Sequence, residues 1–163
     1  MNAVSYTWFD SPVGRLLLAG SPAGLSVVRF PRGKQAVPVG PDWIEDRTVF
    51  TPVIGQLEEY FAGRRRYFEL ALRPEGSQFQ RAVWTELRSI PYGETISYKD
   101  LARRVGKPQA FRAVGAANGA NPIPIIIPCH RVIGNDGSLT GFGGGLPLKR
   151  RLLELESRQL SLL

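Results

Sequence analysis

The sequence predicts an α+β protein in two parts: an antiparallel sheet with one helix, then a helical part containing a helix-turn-helix. Three observations predict it. Short apolar runs alternate with Ser-Pro-x-Gly turns as far as Phe30, and helical spacing takes over beyond Gly76. A Ser-x-x-Asp cap then opens a pair of short helices with a glycine between them.

Val4 to Phe9, Arg15 to Ala19 and Leu25 to Phe30 read as strands joined by the turns Ser11-Pro12-Val13-Gly14 and Ser21-Pro22-Ala23-Gly24, an antiparallel meander. Pro31 to Pro41 carries many Pro and Gly without a period and reads as loop. Pro52 to Phe61 sets Val53, Ile54, Leu57 and Phe61 at helical spacing, a helix that packs on the sheet. Arg64-Arg65-Arg66 reads as a solvated turn, with phosphate contact as the alternative, before a short strand from Tyr67 to Leu72. The change of character at Arg73-Pro74-Glu75-Gly76 sets a boundary. Residues 1-76 form the sheet-plus-helix domain and residues 77-163 the helix-turn-helix and active-site domain.

In the second domain Phe79, Ala82, Val83 and Leu87 mark one helical face, ending at Ile90-Pro91-Tyr92-Gly93. Ser97 and Asp100 form the cap of the next helix, with Leu101, Ala102 and Val105 as its apolar face. Gly106 fits a left-handed C-cap, and Pro108 fits the start of a second helix whose buried stripe is Ala110, Ala113, Val114 and Ala117. Ala113, Gly115, Ala116, Ala117 and Gly119 offer few groups that could read base edges in a major groove. Gly115 inside a helix costs roughly 1 kcal/mol against alanine, which points to close approach of something to the backbone, a narrow minor groove being one candidate. Arg112 lies opposite the Ala110 and Val114 stripe and projects outward, either solvated or toward DNA.

Composition narrows the function classes. With 21 Lys plus Arg against 14 Asp plus Glu, the 163 residues carry a net charge of +7, and a pI near 10.1 suits a polyanionic partner. One cysteine excludes an internal disulfide, and one cysteine with one histidine cannot supply the four ligands of a structural zinc site. The loop Gly141-Phe142-Gly143-Gly144-Gly145 lacks the GxGxxG order of dinucleotide binding. No cofactor or metal is expected. Without a basic leader or a long apolar run, a cytoplasmic protein with no membrane partner is expected, where its thiol stays reduced.

That thiol stands in Pro128-Cys129-His130-Arg131, after the proline-spaced run Asn121-Pro122-Ile123-Pro124-Ile125-Ile126-Ile127. A lone thiol beside a lone imidazole is a candidate nucleophile with a candidate base; a cysteine ending an isoleucine run is equally a small packed hydrophobe. A cysteine hydrolase would need a histidine positioned from elsewhere, and none exists.

These motifs together carry a resemblance. Asn-Pro-x-Pro-Ile-x-Ile-Pro-Cys-His-Arg, preceded by Ile96-Ser97-Tyr98 and Arg112-Ala113-Val114-Gly115 and followed by Gly143-Gly144-Gly145-Leu146, resembles the O6-alkylguanine-DNA alkyltransferases. The resemblance is dense from Phe79 to Glu156. Over residues 1–76 it extends only to the family's sheet-plus-helix domain, which is ribonuclease H-like. It implies that Cys129 takes the alkyl group from O6 of a guanine flipped out of double-stranded DNA, irreversibly and once per molecule. The partner is then duplex DNA met through the minor groove, by a monomer, with Arg112 filling the vacated space and Ala113, Gly115 and Ala116 letting the helix approach.

The resemblance also implies a relay in which His130 acts on Cys129 through water. Adjacent residues of an extended segment point to opposite sides, which disfavours direct contact. Glu156 matches the group that orients the imidazole; it follows Leu148 and Leu152 on one helical face and sits in the last turn, against the dipole, whereas Glu154 falls on another face. Asn121 matches the asparagine linking the DNA-binding helix to the active site, and its amide could bond to backbone near the prolines. Tyr98 matches a general acid that protonates guanine N3. The backbone carbonyls of Cys129 and Val132 are expected to read the guanine amino group. Phe142 and Gly143 stand where some relatives carry tyrosine then serine, so recognition of O6 is expected from backbone N–H groups. The competing reading is a DNA-binding protein without chemistry, a regulator or a lesion binder, but such lesion binders lack the cysteine.

Overall fold

The structure, a computed structural model, describes residues 3–30, 39–140, 142 and 145–161. β1 (Ser5–Ser11), β2 (Gly14–Ser21) and β3 (Gly24–Arg29) make the expected meander, Trp8 opposite Leu17 and Leu18 opposite Val28. The β2–β3 turn is tight. A Cβ on Gly20 would lie 2.5 Å from the Gly24 carbonyl oxygen, so only glycine fits there.

Two features of the sheet differ from expectation. β4 (Ile44–Glu45) adds a parallel edge strand beside β1, giving the order β3-β2-β1-β4; a strand this short shows no period. Tyr67 to Leu72 is not a strand: it is irregular apart from a single bridge between Leu72 and Leu25. The β3 edge explains this. Leu25 exchanges bonds with Ala71 and Arg73 at 2.9 and 2.7 Å, but the Val28 N–H donates to the Pro122 carbonyl at 2.9 Å. The edge is shared with the segment leading to Cys129, and no ladder can run along it. The Pro31 to Pro41 loop falls largely outside the described residues.

α1 (Thr51–Phe61) carries proline in its first turn and buries Val53, Ile54, Leu57 and Tyr60 against the sheet. α2 (Gln78–Leu87) opens on a capping box between Ser77 and Gln80. Its buried side is Val83, Trp84 and Leu87, and Ala82, expected there, is exposed. Trp84 decides the rotation: it hides far more apolar area than an alanine could, and its indole N–H donates to the Ala117 carbonyl at 2.8 Å.

The helix-turn-helix is present. α3 (Tyr98–Arg104) starts at the Ser97 and Asp100 box, and Gly106, at φ 75°, turns the chain out of it. α4 spans Phe111–Gly119, so Pro108 lies in the preceding turn rather than at the helix start. Its buried side is Val114, Ala117 and Asn118, while Ala113 is exposed instead of lining the stripe. Asn118 is drawn inward because its amide reaches the Cys129 carbonyl at 3.5 Å.

β5 (Ile96–Ser97) pairs in parallel with β6 (Val132–Ile133), tying the start of α3 to the chain just past Cys129. α5 (Leu146–Ser161) continues beyond Glu156, which is mid-helix rather than in the last turn and so does not oppose the helix dipole there. Leu16, Leu57, Trp84, Leu87, Ile123 and Ile127 belong to one buried cluster spanning both parts. At about 1.5–3 kcal/mol for each large apolar side chain buried, the two parts are held together by their shared core. Among the described residues no helix is long and apolar enough to cross a membrane.

Candidate active site

The segment from Asn121 to Pro128 has three residues without a backbone donor, and Asn121 holds it in shape. Its amide N–H donates to the Ile127 carbonyl at 2.8 Å, and its amide oxygen accepts from the Ile123 N–H at 3.0 Å. Ile125 stands at φ 73°, in the left-handed region that a β-branched residue strains to occupy, by about 1–3 kcal/mol. The tightly coiled chain delivers Cys129 into a single 3-10 turn, Cys129–Arg131. The expectation of an extended backbone here is therefore corrected.

Cys129 and His130 are both buried. Burial pushes the Cys129 thiol up to about 11, against the pull of the Asn121 amide and the Lys149 charge. Burial likewise lowers the His130 pKa, with Glu156 opposing, so the imidazole is neutral at physiological pH. His130 Nε2 lies 2.6 Å from Glu156 Oε2, and His130 Nδ1 is buried without a hydrogen-bond partner among the described residues. A carboxylate can only accept, so Nε2 carries the proton and Nδ1 presents a lone pair.

Glu156 is wholly buried on α5. Burial alone would raise its pKa, but the hydrogen bond from His130 and the hydrogen bonds and charge of Arg131 hold it well below the usual carboxylate range. Arg131 donates from Nε to Oε1 at 2.8 Å and from Nη2 to Oε2 at 3.0 Å, a two-point clamp, while its Nη1 donates to the Ile90 carbonyl at 2.8 Å. The Gly93 N–H and the Tyr60 hydroxyl complete the shell, at 3.1 and 2.7 Å.

Lys149 is buried with no carboxylate beside it among the described residues. Its ammonium donates to the Val132 and Thr140 carbonyls at 2.5 and 2.8 Å, and burial lowers its pKa to about 8, with Cys129 opposing. Sequence reasoning missed Lys149, Arg131 and Tyr60 as site residues. The signal for Lys149 was available, since it shares a helical face with Leu152 and Glu156 at heptad spacing. Arg131 stood in the motif without a role, and Tyr60 lies too far along the chain for any spacing to reveal it.

Tyr98 is half-buried and donates to the same Thr140 carbonyl at 3.1 Å; burial raises its pKa, keeping the phenol protonated. Gly115 faces the Tyr98 ring, where an added Cβ would sit 3.7 Å away, an ordinary contact, so packing within the protein does not demand glycine. Arg112, Ala113 and Ala116 are exposed on α4, as is Phe111. The Cys129 carbonyl already accepts from the Val132 N–H, and the Val132 carbonyl from Lys149. Phe142 packs its ring 5.7 Å from Phe30, whereas Gly143 lies outside the described residues.

Residues 4–74 match the 6-O-methylguanine DNA methyltransferase, ribonuclease-like domain, and residues 78–158 match the 6-O-methylguanine DNA methyltransferase, DNA binding domain. The chain belongs to the 6-O-methylguanine DNA methyltransferase family. Among the relatives of this family member, the methylated-DNA–protein-cysteine methyltransferase of Methanosarcina barkeri is 52% identical over 155 residues, 95% of this chain and 98% of the relative. The Mycobacterium tuberculosis protein of the same name is 48% identical over 94% of this chain and 92% of its own length. The crystal structure of Mycobacterium tuberculosis OGT in complex with DNA superposes with a TM-score of 0.90 at 47% identity, covering 95% of this chain and 94% of that chain. The methyltransferase fold is thus α+β, a ribonuclease-like sheet domain followed by a helical DNA-binding domain.

Proposed function

We propose that this protein repairs DNA by direct reversal, taking the alkyl group from O6 of guanine onto the Cys129 sulfur as a thioether, once per molecule. The observation that carries the reading is the buried His130–Glu156 pair beside the buried Cys129, with the lone-pair nitrogen Nδ1 unpartnered among the described residues. With burial pushing its thiol up to about 11, Cys129 is protonated at neutral pH, so deprotonation must accompany transfer. His130 Nδ1 takes the thiol proton through a bridging water, and Glu156, ionised and clamped by Arg131, stabilises the imidazolium that forms. The sulfur–carbon bond forms as the O6–carbon bond breaks, and the electron pair left on the guanine ring takes a proton at N3 from the Tyr98 phenol. Lys149, a positive charge that favours the thiolate, lowers the cost of the charged intermediate state.

The guanine reaches the sulfur by flipping out of the duplex, at a cost of a few kcal/mol, because a base in its stack cannot meet a buried thiol. Arg112 fills the vacated space, and the small residues Ala113, Gly115 and Ala116 let α4 approach the minor groove. Asn121 and the Cys129 and Val132 carbonyls shape the base pocket, with Phe142 on its far wall. The +7 charge supplies sequence-independent attraction to phosphates.

Incubation with a duplex containing O6-methylguanine should add one methyl mass to the peptide bearing Cys129, and C129S should abolish it. Tight binding with an unchanged peptide mass would favour the lesion-binding reading instead. Binding should weaken steeply with salt.

A further inference from the structure

The Glu156 carboxylate is bonded by residues of its own domain and by one side chain from the other. Oε2 accepts from His130 Nε2 at 2.6 Å, from the Tyr60 hydroxyl at 2.7 Å and from Arg131 Nη2 at 3.0 Å. Oε1 accepts from Arg131 Nε and the Gly93 N–H, at 2.8 and 3.1 Å. Tyr60 belongs to α1, in the ribonuclease-like domain. We propose that Tyr60 is a positioning residue for alkyl transfer: its phenol fixes the Glu156 carboxylate and limits how strongly Oε2 draws the His130 proton. The inference rests on the alkyl-transfer reading above.

Tyr60 and His130 share one oxygen, so phenol and imidazole compete for the same charge. Each donor added to a carboxylate makes it a weaker acceptor for the others. The ring of Tyr60 is locked by Phe61, Phe68 and Tyr92, with centroids 5.2, 5.5 and 6.1 Å away, which leaves the hydroxyl aimed at Glu156. A phenylalanine would fill the same core without a hydroxyl to desolvate, so packing alone does not account for tyrosine. Burial and the Glu156 charge together hold the Tyr60 phenol protonated, a permanent donor. The other ionisable groups facing the pair are Arg131, Tyr92 with Arg66 over its ring, and Lys149. All of them stay in place when only the Tyr60 hydroxyl is removed.

The sign follows. Without the phenol, Oε2 concentrates its charge on His130, the imidazolium is stabilised, and His130 titrates at higher pH. Less neutral base is then available in acid, so the acid limb of the transfer rate moves toward neutrality.

His130 is the only histidine, so isotope-labelled histidine gives one imidazole signal in NMR. In Tyr60→Phe the Nε2 proton should move downfield and the titration midpoint rise by about half to one pH unit. The acid limb of methyl transfer to Cys129, corrected for the active fraction by mass, should shift with it: roughly three- to tenfold slower well below the wild-type His130 midpoint and within about twofold at pH 8. 3-Fluorotyrosine placed at position 60 alone, a stronger donor, should move the His130 midpoint the other way. A merely structural role would lower the active fraction equally at every pH. Wild-type protein that transfers methyl groups, with the His130 signals and acid limb unchanged in Tyr60→Phe, would overturn the role of Tyr60 alone. Wild-type protein that leaves Cys129 unmodified would overturn the alkyl-transfer reading and this inference with it.

Discussion

The interior around Glu156 and the outer face of α4 hold their polar side chains by opposite means. Glu156, His130, Arg131 and Lys149 are buried and bonded on several sides, so their arrangement is set before any DNA arrives. Arg112, Ala113 and Ala116 are exposed. Interior charges must be paired or hydrogen-bonded to be tolerated at all, whereas an exposed arginine is solvated and gains its role only from a partner. Damage to the first region should therefore show in stability and pH dependence, and damage to the second only when duplex DNA is present.

The largest effect is expected where the interior pairing is broken. Arg131→Met should destabilise the fold by about 3–5 kcal/mol, because Glu156 would keep its charge and lose its clamp. Chemical denaturation would measure this, and a loss under about 1 kcal/mol would remove the contrast between the regions. Acidification probes the same network. Glu156 has a depressed folded pKa, so its contribution is present above the unfolded value of about 4.3 and is lost as pH falls through the folded one. His130 is held neutral in the fold, so below about 6.5 the unfolded state gains a proton that the native state resists. Both act in one direction. Melting temperature should decline as pH drops below about 6.5, and Glu156→Gln should flatten the part below about 5.

On the outer face, Arg112→Ala should slow repair of duplex DNA by about a hundredfold while leaving its reaction with a free O6-alkylguanine base within about twofold and its stability unchanged. Equal losses on duplex and free base would reject a flipping role. The smallest change is expected from Lys149→Met, which removes a favourable charge from the thiol. Transfer at neutral pH should slow about tenfold, with the Cys129 pKa rising correspondingly in an alkylation titration.

The chemistry of the site was legible where one element carries it. Pro128-Cys129-His130-Arg131 is contiguous, and helical period alone puts Leu152 and Glu156 on one face. The meander, α1 and the Ser97 capping box followed from turns, spacing and caps that act over a few residues. The strand expected at Tyr67 to Leu72 failed for a nonlocal reason: the β3 edge gives one of its bonds to Pro122, far along the chain. Ala82 and Ala113 failed in the same way, displaced by the demands of Trp84 and Asn118 on neighbouring elements.

By itself, then, the sequence determined the residue types, the local elements and the presence of a single thiol. Tertiary structure alone decided that Tyr60 and Lys149 would stand beside that chemistry, and that Glu156 would be clamped by Arg131 inside a core shared by both domains. The physical reason is one of range. Backbone propensity and helical period act between near neighbours, whereas a buried charge must find its donors wherever the packed chain brings them.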